Sequence, residues 1–318
     1  MFGWIRKFFC NKPSSRVPEK DKRDPLRYHE WIDKNLEKSV IQIIDHSKFS
    51  DIKEIGKGAH GTAFSAEYNG VKIVYKETKD SEIKKIVNEI KQHMTVNKSE
   101  YIIKFLGITR DFKIVLQYAN GGTLRKHLEN KISDSIFKIS WEELIKIAEQ
   151  VIYGLRDLHE NNVVHGDLHP KNILTHDDNG KFKVVIADFG SASKLDDSLI
   201  SIHQEYFTLE YADPQLFIDP QMVRPNCKSD IYSLGVILWE LTSGIRPFSK
   251  IPNKIALANH IARGKREKMV PGTPSSYAKL CEKCWRSNPK KRPELKEILL
   301  KLGKSKDVKK IISNKIRR

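Results

Sequence analysis

The chain has 318 residues, of which 39% are hydrophobic and 31% charged, a composition that supplies a sizeable core and argues against global disorder. Its formal net charge of +17 invites a nucleic-acid-binding interpretation. However, residues 1–28 carry +5 of this charge and residues 301–318 carry +7. The charge distribution therefore favours solvated basic tails over a basic groove, and we expect no specific nucleic-acid partner.

The first ten residues, from Met1 to Cys10, alternate aromatic and basic side chains, as interfacial membrane segments do. Peripheral contact with a membrane is therefore a hypothesis, and a frayed tail fits the same residues equally well. No secretory signal is convincing, and no apolar run reaches the roughly 18 residues that a spanning helix needs. We therefore expect a cytoplasmic protein, with peripheral membrane contact through this segment left open.

The pattern of apolar residues divides the chain into a strand-rich and a helix-rich part. A linker at 11–27 precedes apolar residues at helical spacing, which predict a leading helix over 28–44. Strands are predicted at 52–55, 62–68, 71–77, 102–109 and 113–117, with one charged helix at 80–96. Beyond Gly121-Gly122, helices are predicted at 123–130, 141–161, 228–243, 253–263, 276–285 and 294–302, with short strands near 173–175 and 182–187. Two such lobes leave a cleft between them, where ligands commonly bind.

The first chemical motif is a glycine-rich turn between two strands, formed by Gly56, Gly58 and Gly61. Glycines let backbone amides approach a phosphate, although an ordinary hairpin turn explains the same residues. On the strand after the hairpin, Lys76 can neutralise phosphates if a carboxylate holds it. Glu89 lies on the apolar stripe of the charged helix and could face inward toward Lys76. For either charge alone, a solvated surface position is the ordinary interpretation.

A second group of motifs follows the long helix at 141–161. Asp167 and Asn172 are five residues apart in one loop, and Asp188 ends an apolar strand just before Phe189-Gly190. A carboxylate can accept the proton of a hydroxyl group, and amide and carboxylate oxygens suit Mg²⁺. The sequence thus predicts a base at Asp167 and Mg²⁺ ligands at Asn172 and Asp188.

The order of these motifs resembles that of eukaryotic protein kinases. The ending, with Cys284-Trp285 and Arg292-Pro293, is similar to that of tyrosine-kinase-like kinases. The resemblance covers residues 50–302 and implies an α+β, bilobal protein-kinase-like fold: a five-stranded N-lobe with one main helix and a mostly helical C-lobe. The expected divisions are a basic tail, linker and leading helix (1–48), a kinase domain (49–302, with lobes 49–119 and 120–302) and a basic C-terminal tail (303–318).

The resemblance implies ATP with Mg²⁺ as the phosphate donor and a protein hydroxyl as the acceptor. Asp167 would accept the acceptor's proton, and Lys76 would bind phosphates while paired with Glu89. Asn172 and Asp188 would hold Mg²⁺. The residues expected around the nucleotide are Ile55, Gly56, Gly58, Gly61, Ala63, Val74, Lys76, Gln117, Ala119 and Leu174.

Three of the departures from the family pattern bear on regulation and on the choice of acceptor. Gly166 replaces an arginine that in many kinases meets a phosphorylated activation loop, so we expect activity that depends little on loop phosphorylation. Gln215 replaces the glutamate that usually pairs with an arginine such as Arg292, so we expect this arginine to be partly uncompensated. His169 replaces the phosphate-contacting lysine of Ser/Thr kinases. Thr208 resembles the P+1 threonine of those kinases, whereas Lys171 occupies a position that is basic in some tyrosine kinases. The sequence therefore leans toward Ser/Thr over Tyr acceptors without deciding between them.

Two other functions fit part of the sequence. A pseudokinase scaffold is kept open by the departures from the family pattern, although Lys76, Asp167 and Asp188 are all present. The loop from His165 to Asn172 also resembles that of aminoglycoside and choline phosphotransferases, which act on small molecules. The three-glycine loop, the Asp-Phe-Gly motif and the Arg-Pro ending favour a protein kinase over a small-molecule phosphotransferase.

Overall fold

The computed structural model describes residues 25–58, 61–78, 83–194, 208–218, 223–304 and 311–316. The hypothesis of membrane contact through Met1 to Cys10 falls outside these residues. Within the described part of the chain, every helix is too short or too polar to cross a membrane.

A five-stranded antiparallel sheet and one long helix form the N-lobe. The hairpin turn at Asn69-Gly70 takes φ values of 52° and 75°, the left-handed conformation that a two-residue turn requires. The prediction of a five-stranded lobe with one main helix is confirmed. Its elements are β1 (Ser50–Gly58), β2 (Gly61–Tyr68), β3 (Val71–Glu77), α2 (Ile83–Val96), β4 (Phe105–Ile108) and β5 (Ile114–Gln117), with sheet order β1-β2-β3-β5-β4.

The leading helix ends earlier than the predicted range of 28–44. Helix α1 spans Pro25–Glu37, and Ser39, with φ of 54°, turns the chain out of the helix. Residues 41–44 then run along β4, where the amide of Ile44 donates to the carbonyl of Ile108 at 2.8 Å. The apolar residues after the turn mimic a continuing helical stripe, which is why the sequence pattern extended the helix too far.

The C-lobe is built around α6 (Cys227–Ser243), which is buried along nearly its whole length. Asn226 and Ser229 form a capping box at its start, and Gly244 ends it with φ of 70°. The other helices are α3 (Leu124–Glu129), α4 (Trp141–Glu160), α5 (Gln215–Ile218), α7 (Lys254–Ala262), α8 (Ser275–Cys284) and α9 (Leu295–Gly303). The lobe also contains two antiparallel strand pairs: β8 (Val163–Val164) with β11 (Ser193–Lys194), and β9 (Ile173–Asp178) with β10 (Lys181–Ile186).

The C-terminal segment, expected to be a basic tail over 303–318, contributes a strand. Residues Ile311–Lys315 (β12) pair antiparallel with β7 (Ile136–Ser140), which itself pairs with β6 (Ile132–Ser133). Ile312 is 1% exposed, whereas the neighbouring Ile311 is 66% exposed. The strand is only five residues long and lies in a lysine-rich segment, so its alternation was too weak to reveal it.

Replacing Ile312 by Ala should lower the free energy of unfolding by about 2–4 kcal/mol, because it leaves a cavity under the sheet. Ile311→Ala is the matched control and should change that free energy by less than about 0.5 kcal/mol. Urea unfolding measures both. Equal effects of the two substitutions would mean that β12 is not docked in solution.

Candidate active site

A buried ion pair joins the sheet and helix of the N-lobe. On β3, the Lys76 Nζ lies 2.9 and 3.0 Å from the two carboxylate oxygens of Glu89 on α2, and 2.8 Å from Asp188 Oδ1. Burial alone would lower the pKa of Lys76, but the carboxylates of Glu89 and Asp188 raise it above its ordinary value. The ammonium is therefore charged and fixed at the edge of the cleft.

The spacing of residues along α2 explains how Glu89 comes to face inward. Ile86 and Ile90 flank it on the face that packs into the lobe, and both are buried. Asn88, the residue directly before Glu89, donates its side-chain amide to the carbonyl of Ala192 at 2.8 Å. Helix α2 is thereby linked both to the strand lysine and to the segment after Asp188.

One turn beyond Glu89, the ring of His93 lies between Phe105 and Phe189, at centroid distances of 5.8 and 4.6 Å. The ring of Phe189 in turn contacts His165 at 5.7 Å. His93 is completely buried, and neither ring nitrogen has a hydrogen-bond partner. Burial, assisted by the nearby charge of Lys76, lowers its pKa to about 3. Sequence reasoning missed this residue, whose signal is a histidine on an otherwise apolar stripe.

The carboxylate of Asp167 is held from two sides. Its Oδ1 accepts the backbone amide of Thr208 at 3.2 Å, and its Oδ2 lies 3.3 Å from the His169 Nε2. Because His169 Nδ1 accepts the amide of Lys171, Nε2 is the nitrogen that carries the proton toward Asp167. Burial would raise the pKa of Asp167, but the hydrogen bonds from His169 and Thr208 outweigh it and lower that pKa.

Asn172 and Asp188 offer two oxygen donors in the same cleft. The amide nitrogen of Asn172 donates to the carbonyl of Asp167 at 2.9 Å, so the amide oxygen of Asn172 is the atom that could hold a cation. Asp188 takes a left-handed φ of 62° directly before Phe189. These hard oxygens suit Mg²⁺. The described residues contain no group of three or more His, Cys, Asp or Glu side chains placed to hold a metal ion.

Helix α6 anchors the loop that carries Asp167. The carboxylate of Asp230 accepts the amides of His165 and Gly166, both at 3.0 Å, and contacts the ring of His159 at 2.8 Å. Gly166 has φ of 79°, and a Cβ there would lie 3.0 Å from the carbonyl oxygen of Ser191. A larger residue at this position would be strained, so glycine fits the loop conformation.

The residues expected around the nucleotide fall into two groups. Gly58 pairs with Gly61, and Gly56 with Ala63, at the end of the β1–β2 hairpin nearest the connection between its strands, while Ile55 on β1 is exposed. The tip, Ala59-His60, lies outside the described residues. The second group, Val74, Ala119 and Leu174, packs with one apolar cluster, and Gln117 ends β5 beside it.

Backbone hydrogen bonds connect the crossover between the lobes to β9. Gly121 donates its amide to the Thr175 carbonyl at 2.9 Å, and Thr175 donates to the Gly122 carbonyl at 2.8 Å. A Cβ on Gly121 would lie 2.4 Å from the Thr175 hydroxyl oxygen. The approach therefore requires glycine, and it brings Leu174 next to the crossover.

A model of the family described as protein tyrosine and serine/threonine kinase matches residues 49–302. The chain belongs to the protein kinase family. It is 30% identical over 271 residues to dual specificity protein kinase pyk3 of Dictyostelium discoideum, covering 82% of this chain and 19% of that protein. It is 28% identical over 289 residues to receptor-interacting serine/threonine-protein kinase 2 of Bos taurus, covering 83% and 52%. It is 26% identical over 262 residues to serine/threonine/tyrosine-protein kinase HT1 of Arabidopsis thaliana, covering 79% and 65%.

In this kinase domain, the pairing of Arg292 differs from the sequence-based expectation. Its guanidinium makes two hydrogen bonds to the Asp213 carboxylate, at 2.5 and 2.8 Å, and both side chains are buried. Gln215, which stands where the family carries glutamate, donates its amide to the Ser287 carbonyl instead. The expectation of a partly uncompensated Arg292 was therefore wrong, because a carboxylate two residues upstream fills the role.

A second contact fixes the same part of the kinase domain. The Tyr211 hydroxyl donates to Glu240 on α6 at 2.5 Å and accepts from Arg125 at 2.5 Å. The hydroxyl of Ser233 donates to the Tyr211 carbonyl at 2.8 Å. Tyr211 lies near the end of the segment that follows Asp188, and these hydrogen bonds hold it on α6.

Replacing Asp213 by Asn should lower the free energy of unfolding by about 3–5 kcal/mol, because it leaves the buried guanidinium of Arg292 without a carboxylate. Adding Gln215→Glu should recover part of this loss, since a glutamate there pairs with the arginine in related kinases. Gln215→Ala alone is the control and should change it by less than about 1 kcal/mol. Urea unfolding measures these free energies. If Asp213→Asn were as stable as the wild type, Asp213 would not be the carboxylate that compensates Arg292.

The buried, neutral His93 predicts a pH dependence of stability. Unfolded His93 gains a proton near pH 6.5, whereas the folded residue stays neutral down to about pH 3, so stability falls as the pH falls through this window. Between pH 7.5 and 5, the wild type should lose about 2 kcal/mol more than a His93→Leu variant. Chemical unfolding at the two pH values tests it; equal losses in both proteins would exclude a neutral His93 in the folded state.

Proposed function

We propose that this kinase transfers the γ-phosphate of ATP to the hydroxyl group of a protein side chain, with Ser or Thr preferred over Tyr and with Mg²⁺ required. The observation that carries the proposal is the buried Lys76–Glu89 pair beside Asp188, with Asp167 held across the cleft. A scaffold that binds no nucleotide has no need to bury this pair of charges.

In the proposed reaction, the acceptor oxygen forms a bond to the γ-phosphorus while the bond from that phosphorus to the bridging oxygen of ADP breaks. Asp167 orients the acceptor hydroxyl and takes up its proton, and ADP is the leaving group. Lys76 binds the α- and β-phosphates with its fixed ammonium. Mg²⁺ held by Asn172 and Asp188 would neutralise charge on the phosphates. Because the transition state is loose, positioning and electrostatics supply most of the catalysis.

His169 has two tasks in this scheme. Its tautomer directs the Nε2 proton toward Asp167, which keeps the carboxylate ionised and orients it. It also stands where related Ser/Thr kinases carry a lysine that contacts the γ-phosphate. Since an imidazole is shorter than a lysine side chain and is not permanently charged, the proposed phosphate contact through His169 is weaker than the lysine contact of those kinases.

The names of the relatives support a polypeptide as the acceptor, because they describe serine/threonine, serine/threonine/tyrosine or dual-specificity protein kinases.

Transfer of labelled phosphate from ATP with Mg²⁺ tests the proposal. The full chain should label a generic protein but not small amines or sugars. Asp188→Ala should abolish transfer, and Asp167→Asn should slow it by about 100-fold or more, because it removes the base. Asp51→Asn, at an exposed site with φ of 51° that asparagine tolerates, is the control. Labelling of small molecules alone would favour the phosphotransferase alternative, and absence of both transfer and ATP binding would favour the scaffold.

We also propose that activity depends little on phosphorylation of the segment between Asp188 and Gln215. Gly166 offers no side chain to a phosphate, while Asp213 and Tyr211 already hold the end of this segment. Phosphatase treatment of the purified kinase should therefore leave most of its transfer rate intact. A large loss of activity that returns on rephosphorylation would contradict the proposal.

A further inference from the structure

Residues 25–44 precede the part of the chain that the family model matches, yet helix α1 within them packs against α2. Ile32 of α1 and Ile41 after it are 0% and 2% exposed. Both belong to the same packed cluster as four residues of α2, with Tyr28, Trp31 and Leu36 packed against it. The α2 members of this cluster are Ile83, Ile86, Val87 and Ile90.

A second contact sets the position of α1 along α2. The ammonium of Lys91 on α2 lies 4.8 Å from the centre of the Trp31 ring, a cation–π geometry. After the turn at Ser39, residues 41–44 hydrogen-bond to β4, where the amide of Ile108 donates to the Gln42 carbonyl at 2.9 Å. Helix α1 is therefore tied to both α2 and the sheet.

Positions of α2 interleaved with these apolar residues link the helix to the groups that the proposed reaction needs. Glu89 holds Lys76, Asn88 holds the Ala192 carbonyl, and His93 packs on Phe189. A further hydrogen bond holds the C-terminal end of α2, where the backbone amide of Phe105 donates to the side-chain oxygen of Asn97 at 2.8 Å. The same stretch of α2 thus contacts both α1 and the residues of the proposed site.

We propose that Trp31 and Ile32 are positioning residues for phosphotransfer: they hold α2 in the position from which Glu89 can pair with Lys76. The inference rests on the proposed function and extends it to residues outside the family match. In this proposal, α2 is supported by residues of the same chain and not by a phosphorylated loop. This agrees with the presence of Gly166, which has no side chain to bind a loop phosphate.

Activity measurements on full-length variants test the inference. Trp31→Ala and Ile32→Ala should lower kcat/KM by about 5- to 150-fold, the range typical of coupling between sites. Trp31→Phe keeps an aromatic face for Lys91 and should restore most of the rate. Lys34→Ala, at an exposed position on the same helix, is the control and should match the wild type.

A Glu89→Gln background separates positioning from general stability. If α1 acts through the ion pair, Trp31→Ala should add little to the loss already caused by Glu89→Gln. A full, additive loss in that background would overturn the proposal. So would a Trp31→Ala variant that unfolds at a lower temperature but keeps its kcat/KM.

Hydrogen exchange gives a readout that does not depend on activity. The backbone amides of α2 from Val87 to Val96 should exchange at least about tenfold faster in Trp31→Ala than in wild type or Lys34→Ala. Unchanged exchange would refute the positioning role whatever the activity. If the wild type transfers no phosphate while α2 still loosens in Trp31→Ala, the proposed function fails and the structural role of α1 stands.

Discussion

The ion pair between Lys76 and Glu89 is the constraint on which the N-lobe depends. Two charges can be buried together only if each is compensated, because an unpaired buried charge destabilises a fold by several kcal/mol. Lys76 comes from a strand and Glu89 from a helix, so the pair forms only when α2 is held against the sheet in one orientation. Asp188 completes the arrangement and connects it to the C-lobe.

Charge compensation also determines how the C-lobe presents the loop that carries Asp167. Asp230 on α6 accepts two backbone amides of that loop, and Arg292 holds Asp213 at the end of the following segment. The second interaction shows that a structural role can move along the chain. The carboxylate occurs two residues before the expected position, and Arg292 remains paired.

Much of the fold and the candidate site could be predicted because their signals are local. Period and turn residues predicted the five strands and the long helices, and the order of motifs identified the family. The rest depends on contacts in space. Comparing this sequence with the family's motif positions does not show that the carboxylate of Asp213 reaches Arg292. The burial of His93 is likewise visible only in the fold, where Phe105 and Phe189 pack around it. Similarly, β12 is too short to have a pattern of its own without β7.

The central claim is that the Lys76–Glu89 pair forms without help from a phosphorylated loop, because α1 supports α2 from outside. A crystal structure of the full chain after phosphatase treatment and without nucleotide tests this most directly. We predict the Lys76 Nζ within hydrogen-bonding distance, about 3 Å, of the Glu89 carboxylate, with α1 packed on α2. A structure in which α2 is swung outward and the pair is broken, with α1 still docked, would contradict the account.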